Sequence, residues 1–270
     1  MIQLTDDEFN RLVTYIRQNY GIDLSKKRLL IEARMYSVLL QNNVSTFSEY
    51  FTILRGSENE RITLLNKLTT NHTYFMREPR HFEFLRDVIL PRQLQENREH
   101  SLRIWSAGCS TGEEAYTTVM LMKDFFRDHP GWDTRILATD ISTKVLEEAQ
   151  QGVYAPESLR NLSESWKRLY FTTSGETCVL RDEIRREVIF RRLNLMDDFH
   201  FQRPFDLIFC RNVMIYFSKE AKESLIRKFY DLLKPGGFLF IGHSENIQRD
   251  ATSFRYIEPS IYQKGQRETL

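Results

Sequence analysis

The sequence predicts an α/β protein in which a small helical module precedes a mostly parallel sheet covered by helices. The first 80 or so residues show apolar positions at helical spacing and no glycine-rich turn. Further along, short apolar runs alternate with amphipathic segments, the pattern of parallel strands joined by crossover helices. The 270-residue chain is 41% hydrophobic and 28% charged, which is typical of a globular protein.

Four helices are predicted in the helical module. Thr5 and Glu8 form a capping-box pattern, and Gly21 ends the helix that follows them. The apolar residues of the second helix are expected at Leu29, Leu30, Ala33 and Leu40. Thr46 caps a third helix, and a break at Gly56 precedes a fourth.

Strand and helix candidates alternate through the rest of the chain. Residues 81–98 are expected to form a connecting helix that is interrupted at Pro91. Strands are expected at 102–107, 135–139, 188–193, 206–210, 238–241 and 260–262, with helices at 113–128, 143–151 and 219–233. Residues 153–187 are too polar and too long for a simple crossover. Two runs there, around Ser174 and Gly175, predict a small β-hairpin inserted in the main fold.

A glycine-containing turn follows the first strand of the sheet. Gly108 and Gly112 permit a tight turn and a close backbone approach to a ligand, but the turn lacks the lysine of a P-loop. Glu113 and Glu114 open the next helix and would repel a phosphate. A cationic nucleoside without phosphates fits better, although the acids also complement a helix dipole.

Polar residues also follow the next strands of the sheet. Asp140 ends the second strand, where a carboxylate either accepts hydrogen bonds from ribose hydroxyls or caps the following helix. Asn194 and Leu195 follow the third strand, and Arg211 and Asn212 follow the fourth. Open α/β sheets bind ligands at the carboxyl ends of their strands, so these residues predict one binding edge.

Composition excludes several classes of function. The net charge of +1 gives no global basic excess for nucleic acid. The three cysteines are widely spaced, the start of the sequence has no apolar signal core, and no apolar run reaches about 20 residues. We therefore expect a cytoplasmic protein without membrane insertion. The six histidines show no ligand spacing typical of zinc, so we expect no metal site. Nothing in the sequence demands more than a monomer.

Four motifs together resemble the CheR-type chemoreceptor glutamate methyltransferases. They are Asn71-x-Thr73-x-Phe75-x-Arg77-Glu78, the run from Trp105 to Glu114, the run from Phe209 to Phe217, and Lys234-Pro-Gly-Gly with Gly242-His-Ser-Glu245. The resemblance covers essentially the whole chain in the same order. It implies a helical N-terminal domain over residues 1–80 that binds the receptor, a linker helix over 81–98, a Rossmann-like S-adenosylmethionine methyltransferase domain over 99–270, and a small β-subdomain inserted at 153–187.

The resemblance also implies site residues. Those expected to line the S-adenosylmethionine site are Asn71, Thr73, Arg77, Gly108, Glu114, Asp140, Asn194, Leu195, Arg211 and Asn212. Arg77 and Tyr216 are expected nearest the transferred methyl group. The second helix, through Lys26, Lys27, Arg28 and Arg34, is expected to bind the acidic helical region of the receptor that becomes methylated.

Three residues or segments depart from the family pattern. Met76 stands where a second phenylalanine is usual, and a large apolar side chain should preserve the packing. Ser37 and Val38 replace arginines of some relatives, so we expect a thinner basic face on the second helix. The hairpin loop at Gly175 is short, and we expect no docking of a receptor C-terminal peptide by strand addition.

Two other functions stay open at this point. One is a methyltransferase that acts on a small molecule or a nucleic acid, which the α/β half alone does not exclude. The other is a cofactor-binding sensor or adaptor without catalysis. The segment from Asn71 to Glu78 argues against the first, and the presence of Arg77 and Tyr216 argues against the second.

Overall fold

The N-terminal part of the computed structural model is a four-helix unit with its own core. The structure describes residues 3–69, 71–248 and 252–265, so the predicted end points at residues 1 and 270 lie outside the described residues. The four helices are α1 (Asp6–Tyr20), α2 (Arg28–Gln41), α3 (Phe47–Gly56) and α4 (Glu58–Leu68). The predicted caps form: the Thr5 hydroxyl accepts a hydrogen bond from the N–H of Glu8 at 3.2 Å, and Gly21 ends α1 in the left-handed conformation.

The second helix turns a different face to the core than the sequence pattern predicts. Its buried apolar residues are Ile31, Met35, Val38 and Leu39. Leu29, Ala33 and Leu40 are instead exposed, and Leu30 is half-buried. That prediction was wrong because apolar residues occupy both faces of α2, so their spacing does not select one of them.

A continuous helical segment connects the two parts of the chain. It comprises α5 (Pro79–Phe84), a π-helical turn (Leu85–Ile89) and α6 (Leu90–Glu96). We expected an interruption at Pro91, which has no N–H to donate. The π turn ends just before Pro91, with the N–H of Leu90 donating to the carbonyl of Leu85, and such a widened turn carries the helix past the proline without a break.

Seven strands form the main sheet within the described residues. The strands of this sheet are β1 (Ile104–Ala107), β2 (Ile136–Asp140), β6 (Val188–Arg192), β7 (Phe205–Cys210), β8 (Leu233–Ile241), β9 (Phe254–Glu258) and β10 (Ile261–Lys264). Their spatial order is β6-β2-β1-β7-β8-β10-β9. The first five strands are parallel, and β10 pairs antiparallel with both β8 and β9. The helices that follow strands are α7 (Glu113–Phe125), α8 (Thr143–Gln151) and α11 (Lys219–Leu232).

Alternate side chains of the central strands enter two separate cores. On β1, Ile104 joins the core that contains α7, whereas Trp105 joins the core that contains α11. Because successive strand residues point to opposite faces, helices cover both sides of the sheet. The predicted Rossmann-like α/β class is therefore confirmed.

Two strands of the main sheet, β8 and β9, depart most from the prediction. β8 begins at Leu233 and includes the Lys234-Pro-Gly-Gly run, whereas we expected the helix to extend to residue 233 and the strand to begin at residue 238. The ammonium of Lys234 pairs with the Asp206 carboxylate at 2.8 Å, which ties the start of β8 to β7. β9 was missed because Phe254 alone of its five residues is buried, so it lacks a buried apolar run.

The insertion forms a separate three-stranded antiparallel sheet. Its strands are β3 (Val153–Tyr154), β4 (Phe171–Ser174) and β5 (Thr177–Leu180), in the order β3-β5-β4, with short helices α9 (Glu164–Tyr170) and α10 (Asp182–Arg185). β4 and β5 form the predicted hairpin. β3 was not predicted, because its two residues are too few to show the alternation of a strand. Phe75 packs edge-on against Tyr154 and Phe171, so the insertion supports the segment that joins α4 to α5. Within the described residues, no helix is both long and apolar enough to span a membrane.

Candidate functional site

A cavity lies where the carboxyl ends of the parallel strands meet the helical unit. It holds about 1000 Å³, counting the part open to solvent. The predicted residues that line it are Asn71, Thr73, Arg77, Gly108, Glu114, Asp140, Asn194, Leu195, Arg211, Asn212 and Tyr216. The structure thus brings together every residue that the resemblance placed near the cofactor or the methyl group.

The turn after β1 forms the floor of this cavity. The N–H groups of Gly108 and Cys109 both donate to the carbonyl of Thr139, at 2.8 and 2.9 Å, which joins the turn to the end of β2. Gly108 has a φ of 83°, and a Cβ there would lie 2.4 Å from a methyl group of Val213. Glycine is therefore required both for the backbone conformation and for close packing of the turn against the loop after β7.

Asp140 is held by backbone groups on either side of its carboxylate. One oxygen accepts from the N–H of Ser110 at 2.9 Å and the other from the N–H of Ser142 at 3.0 Å. The cap of α8 is Ser142, whose hydroxyl accepts from the N–H of Val145, so Asp140 does not itself cap that helix. Burial raises the pKa of Asp140 although these hydrogen bonds oppose the rise.

Arg211 forms a buried ionic triad with two glutamates. Its guanidinium lies 3.1 Å from the Glu78 carboxylate and 3.0 Å from the Glu114 carboxylate, and its side chain is 3% exposed. It also donates to the carbonyl of Arg77. Glu78 and Arg77 belong to the segment after α4, whereas Glu114 opens α7. The triad therefore joins that segment to the sheet edge.

Glu78 makes further contacts in this triad. Its second carboxylate oxygen accepts from the side chain of Asn212 at 3.4 Å and from the N–H of His243 at 3.2 Å. Burial opposes ionisation of Glu78, but Arg211 and the N–H of His243 outweigh burial and lower its pKa. At Glu114 burial dominates and raises the pKa despite Arg211. Glu78 has a φ of 55°, a conformation that costs energy for a non-glycine residue and is held here by these contacts.

Arg77 lines the cavity from the segment between α4 and α5. Its guanidinium donates to the carbonyl of His72 at 2.7 Å and lies 5.9 Å from the centre of the Tyr74 ring. The Arg77 residue is half-buried and lines the cavity. The neighbouring Met76 packs against the main core, as we expected of a large apolar replacement.

The end of α1 closes the cavity on a third side. Ile22 pairs with Phe217, and the N–H of Asp23 donates to the carbonyl of Tyr216 at 2.7 Å. The side-chain amide of Asn194 donates to the carbonyl of Asn19 at 2.9 Å. The helical unit is thereby joined directly to the loops after β6 and β7.

The four basic residues predicted to bind a receptor have two different environments. Lys26 and Lys27 are exposed. Arg28 pairs with Asp6 at 2.5 Å and covers the ring of Phe9, and Arg34 donates to the carbonyls at the end of α4. The two arginines therefore also stabilise the helical unit itself.

Sequence reasoning missed several residues that line the cavity. They include Tyr20, Ile22, Thr69, His72, Tyr74, Cys109, Ser110 and Ile141. Most of them are next to a predicted site residue in the sequence, so including the neighbours of each predicted residue would have found them. Tyr20 and Ile22 are different, because they come from the end of α1 and only the tertiary arrangement brings them to the sheet.

Two histidines that are far apart in the sequence lie beside Glu78 of the triad. The rings of His81 and His243 lie 5.4 Å apart, and their nitrogens and a Glu78 oxygen lie within 4.8 Å of one another. Sequence spacing gave no sign of this group. Arg211 already supplies a positive charge to Glu78, and burial and Arg211 lower the pKa of His81 to about 2. A further cation would be repelled by that charge, so we assign no metal to this group.

Comparison with known proteins identifies the family. The description "CheR methyltransferase, all-alpha domain" matches residues 7–69, and "CheR methyltransferase, SAM binding domain" matches residues 71–262. A chemotaxis protein methyltransferase of Borreliella burgdorferi is 43% identical, over 98% of this chain and 96% of the relative. One of Escherichia coli is 38% identical, over 97% and 92%. The chain therefore belongs to the CheR family of chemotaxis methyltransferases and uses S-adenosylmethionine.

Proposed function

We propose that this protein transfers the methyl group of S-adenosylmethionine to glutamate side chains of chemoreceptors, which yields glutamyl methyl esters and S-adenosylhomocysteine and serves adaptation. The observation that carries this proposal is the position of Arg77. It lines the same cavity as the strand ends, on a segment joined to them by the Arg211 triad. A guanidinium there can bind a carboxylate beside the methyl donor.

The cofactor would lie along the strand ends. Asp140 would accept the ribose hydroxyls on the lone pairs that its hydrogen bonds from backbone N–H groups, among them those of Ser110 and Ser142, leave open. Gly108 would allow the nucleoside to approach the backbone closely. The assigned contacts to the donor are Asn71, Thr73, Arg77, Gly108, Glu114, Asp140, Asn194, Leu195, Arg211 and Asn212.

The reaction needs no general base. A glutamate side chain has a pKa of about 4.3 and is already ionised at neutral pH. Its oxygen attacks the methyl carbon while the carbon–sulfur bond breaks, so an anion and a cation both lose charge. Removing the pair from water therefore does not oppose the reaction. Alignment of oxygen, carbon and sulfur therefore becomes the main contribution to catalysis. Positioning of this kind lowers the activation free energy by roughly 7–11 kcal/mol.

Arg77 and Tyr216 are the residues we assign to that alignment. Arg77 would hold one carboxylate oxygen and leave the other free to attack. Binding the ground-state anion too tightly would slow the reaction, so Arg77 orients the substrate instead of immobilising it. Tyr216 would donate a hydrogen bond to either substrate.

The domain roles follow from the same proposal. The helical unit would bind the cytoplasmic helical region of the receptor, with Lys26, Lys27, Arg28 and Arg34 on its basic side, and the sheet domain would bind the donor. The protein would act as a cytoplasmic monomer. The turn between β4 and β5 is short, so we propose that no receptor tail is tethered there.

A radiolabelled-methyl assay against cytoplasmic receptor fragments tests this function. We expect label on the fragment that is released by mild base, because glutamyl methyl esters hydrolyse readily. Fragments with glutamine at the labelled positions should take up no label. Base-stable label would indicate another acceptor. Donor binding without transfer to any fragment would indicate a sensor and contradict the proposal.

A further inference from the structure

The glutamate of the Gly242-His-Ser-Glu245 run holds the loop that follows β7. One oxygen of its carboxylate accepts from the N–H of Asn212 at 3.0 Å and from the N–H of Gly242 at 2.6 Å. The other oxygen accepts from the N–H of Ile215 at 3.0 Å. A single carboxylate therefore joins the loop after β8 to both ends of a segment, residues 212–215, that leads to Tyr216 on the cavity.

The loop after β7 has a backbone that needs such support. Asn212 has a φ of 58°, a conformation that costs energy for a non-glycine residue. A short 3₁₀ turn over Met214–Tyr216 follows it. The first N–H groups of a helical turn have no partner within the turn, and a carboxylate beside them satisfies these donors. The Val213 side chain cannot cap the turn, so Glu245 does this from another part of the chain.

The loops after β7 and β8 also lie too close together for a side chain at residue 242. A Cβ on Gly242 would lie 2.5 Å from the side-chain nitrogen of Asn212 and 2.8 Å from its backbone nitrogen. Glycine at this position allows the close approach of the two loops. Gly242 and Glu245 therefore act on the same loop, the first through close packing and the second through hydrogen bonds.

The turn that Glu245 caps ends at Tyr216, which is held from two sides. On the side of the helical unit, the carbonyl of Tyr216 accepts from the N–H of Asp23 at 2.7 Å. On the side of the sheet, the preceding residue, Ile215, donates to Glu245. The direction in which the Tyr216 side chain enters the cavity therefore depends on Glu245 as well as on the helical unit.

We infer that Glu245 is a positioning residue for methyl transfer, because its carboxylate fixes the turn that presents Tyr216 to the reacting groups. The described residues that line the cavity do not include Glu245, so it acts through Tyr216 and not by contact with a substrate. This inference rests on the proposed function, in which Tyr216 takes part in the alignment. Since a displacement of about 1 Å can lower a rate by roughly 10²-fold, loss of this support should lower kcat.

The test begins with the full-length Glu245→Gln variant, which keeps the size of the side chain. Its amide retains one acceptor oxygen but turns an NH₂ group toward N–H donors, so part of the support is lost. We expect kcat for methylation of a receptor fragment to fall at least about tenfold. The Kd for S-adenosylhomocysteine, measured by calorimetry, should change far less, because Asp140 and Glu114 are held by other groups.

A double-mutant cycle tests whether Glu245 acts through Tyr216. The Tyr216→Phe variant has already lost the hydroxyl that the turn presents. Adding Glu245→Gln to it should therefore lower kcat little further, whereas independent effects would multiply. Should Glu245→Gln fail to fold, Gly242→Ala disturbs the same loop without removing a charge and should give the same dependence on Tyr216.

Glu8 provides a matched control in the helical unit. It is also a glutamate whose two oxygens accept backbone hydrogen bonds, from the N–H of Thr5 at 2.9 Å and from the N–H of Ser48 at 2.7 Å. It lies in the first turn of α1, whereas the cavity is lined from the other end of that helix. The Glu8→Gln variant should lose a similar amount of unfolding free energy and keep its kcat.

The possible outcomes separate this inference from the proposed function. A Glu245→Gln variant with normal kcat would overturn the inference while the function stands. An equal loss of kcat in the Glu8→Gln variant, an equal further loss in the Tyr216→Phe background, or a Kd for S-adenosylhomocysteine that rises as much as kcat falls would also overturn it. A wild-type protein that methylates no fragment would overturn the function, and the inference with it.

Discussion

Replacement of Arg77 by alanine is expected to lower kcat by roughly 10²-fold or more, because the attacking carboxylate loses the group that aligns it. The guanidinium donates a hydrogen bond to the His72 carbonyl, lies over the Tyr74 ring and lines the cavity, so its removal should leave the fold intact. The measurement is single-turnover methylation of a receptor fragment, with thermal unfolding as the check on folding. Near-normal turnover would remove Arg77 from the mechanism.

Arg160 provides a matched control for this variant. Its guanidinium also lies over the Tyr74 ring, at 5.6 Å from the ring centre, but the residue is exposed and does not line the cavity. The Arg160→Ala variant should therefore keep its kcat. If both variants lost activity equally, packing on Tyr74 would explain the loss in place of substrate alignment.

The Arg211→Met variant is expected to lose about 3–5 kcal/mol of unfolding free energy. The change leaves Glu78 and Glu114 buried without their cationic partner, and a buried carboxylate without a partner is costly. The segment that carries Arg77 would also lose its bond to the sheet edge. Urea unfolding monitored by circular dichroism measures the change.

A surface ion pair supplies the control for Arg211. Arg80 pairs with Glu258 at 2.8 Å, but the arginine side chain is 53% exposed. Such pairs contribute about 0–1 kcal/mol, so Arg80→Met should change the unfolding free energy by no more than that. An Arg211→Met variant as stable as the control would mean that the triad does not hold the two parts together.

The α2 helix shows where sequence patterns are ambiguous. In α1, the apolar residues define one face and Thr5 and Gly21 mark its ends, so the prediction of this helix is confirmed. In α2, Leu29 and Leu40 match the spacing of a buried face as well as Ile31 and Leu39 do. Which face is buried depends on the other helices, and that information is not local.

The binding edge was predictable because parallel strands place their carboxyl ends together, so residues after β1, β2, β6 and β7 had to converge. The partners within that edge were not predictable. Arg211 is 97 positions from Glu114 and 133 from Glu78, and no spacing rule joins residues so far apart. Asp140 stays on the cavity because Ser142, a hydroxyl residue that the sequence also places at the start of α8, caps that helix.

A crystal structure with bound S-adenosylhomocysteine tests most directly whether the helical unit and the strand ends build one methyl-transfer site. We predict that the ribose hydroxyls will bond to Asp140 and that the sulfur will face Arg77 and Tyr216 across the cavity. A nucleoside bound elsewhere, or a sulfur directed away from Arg77, would contradict the account.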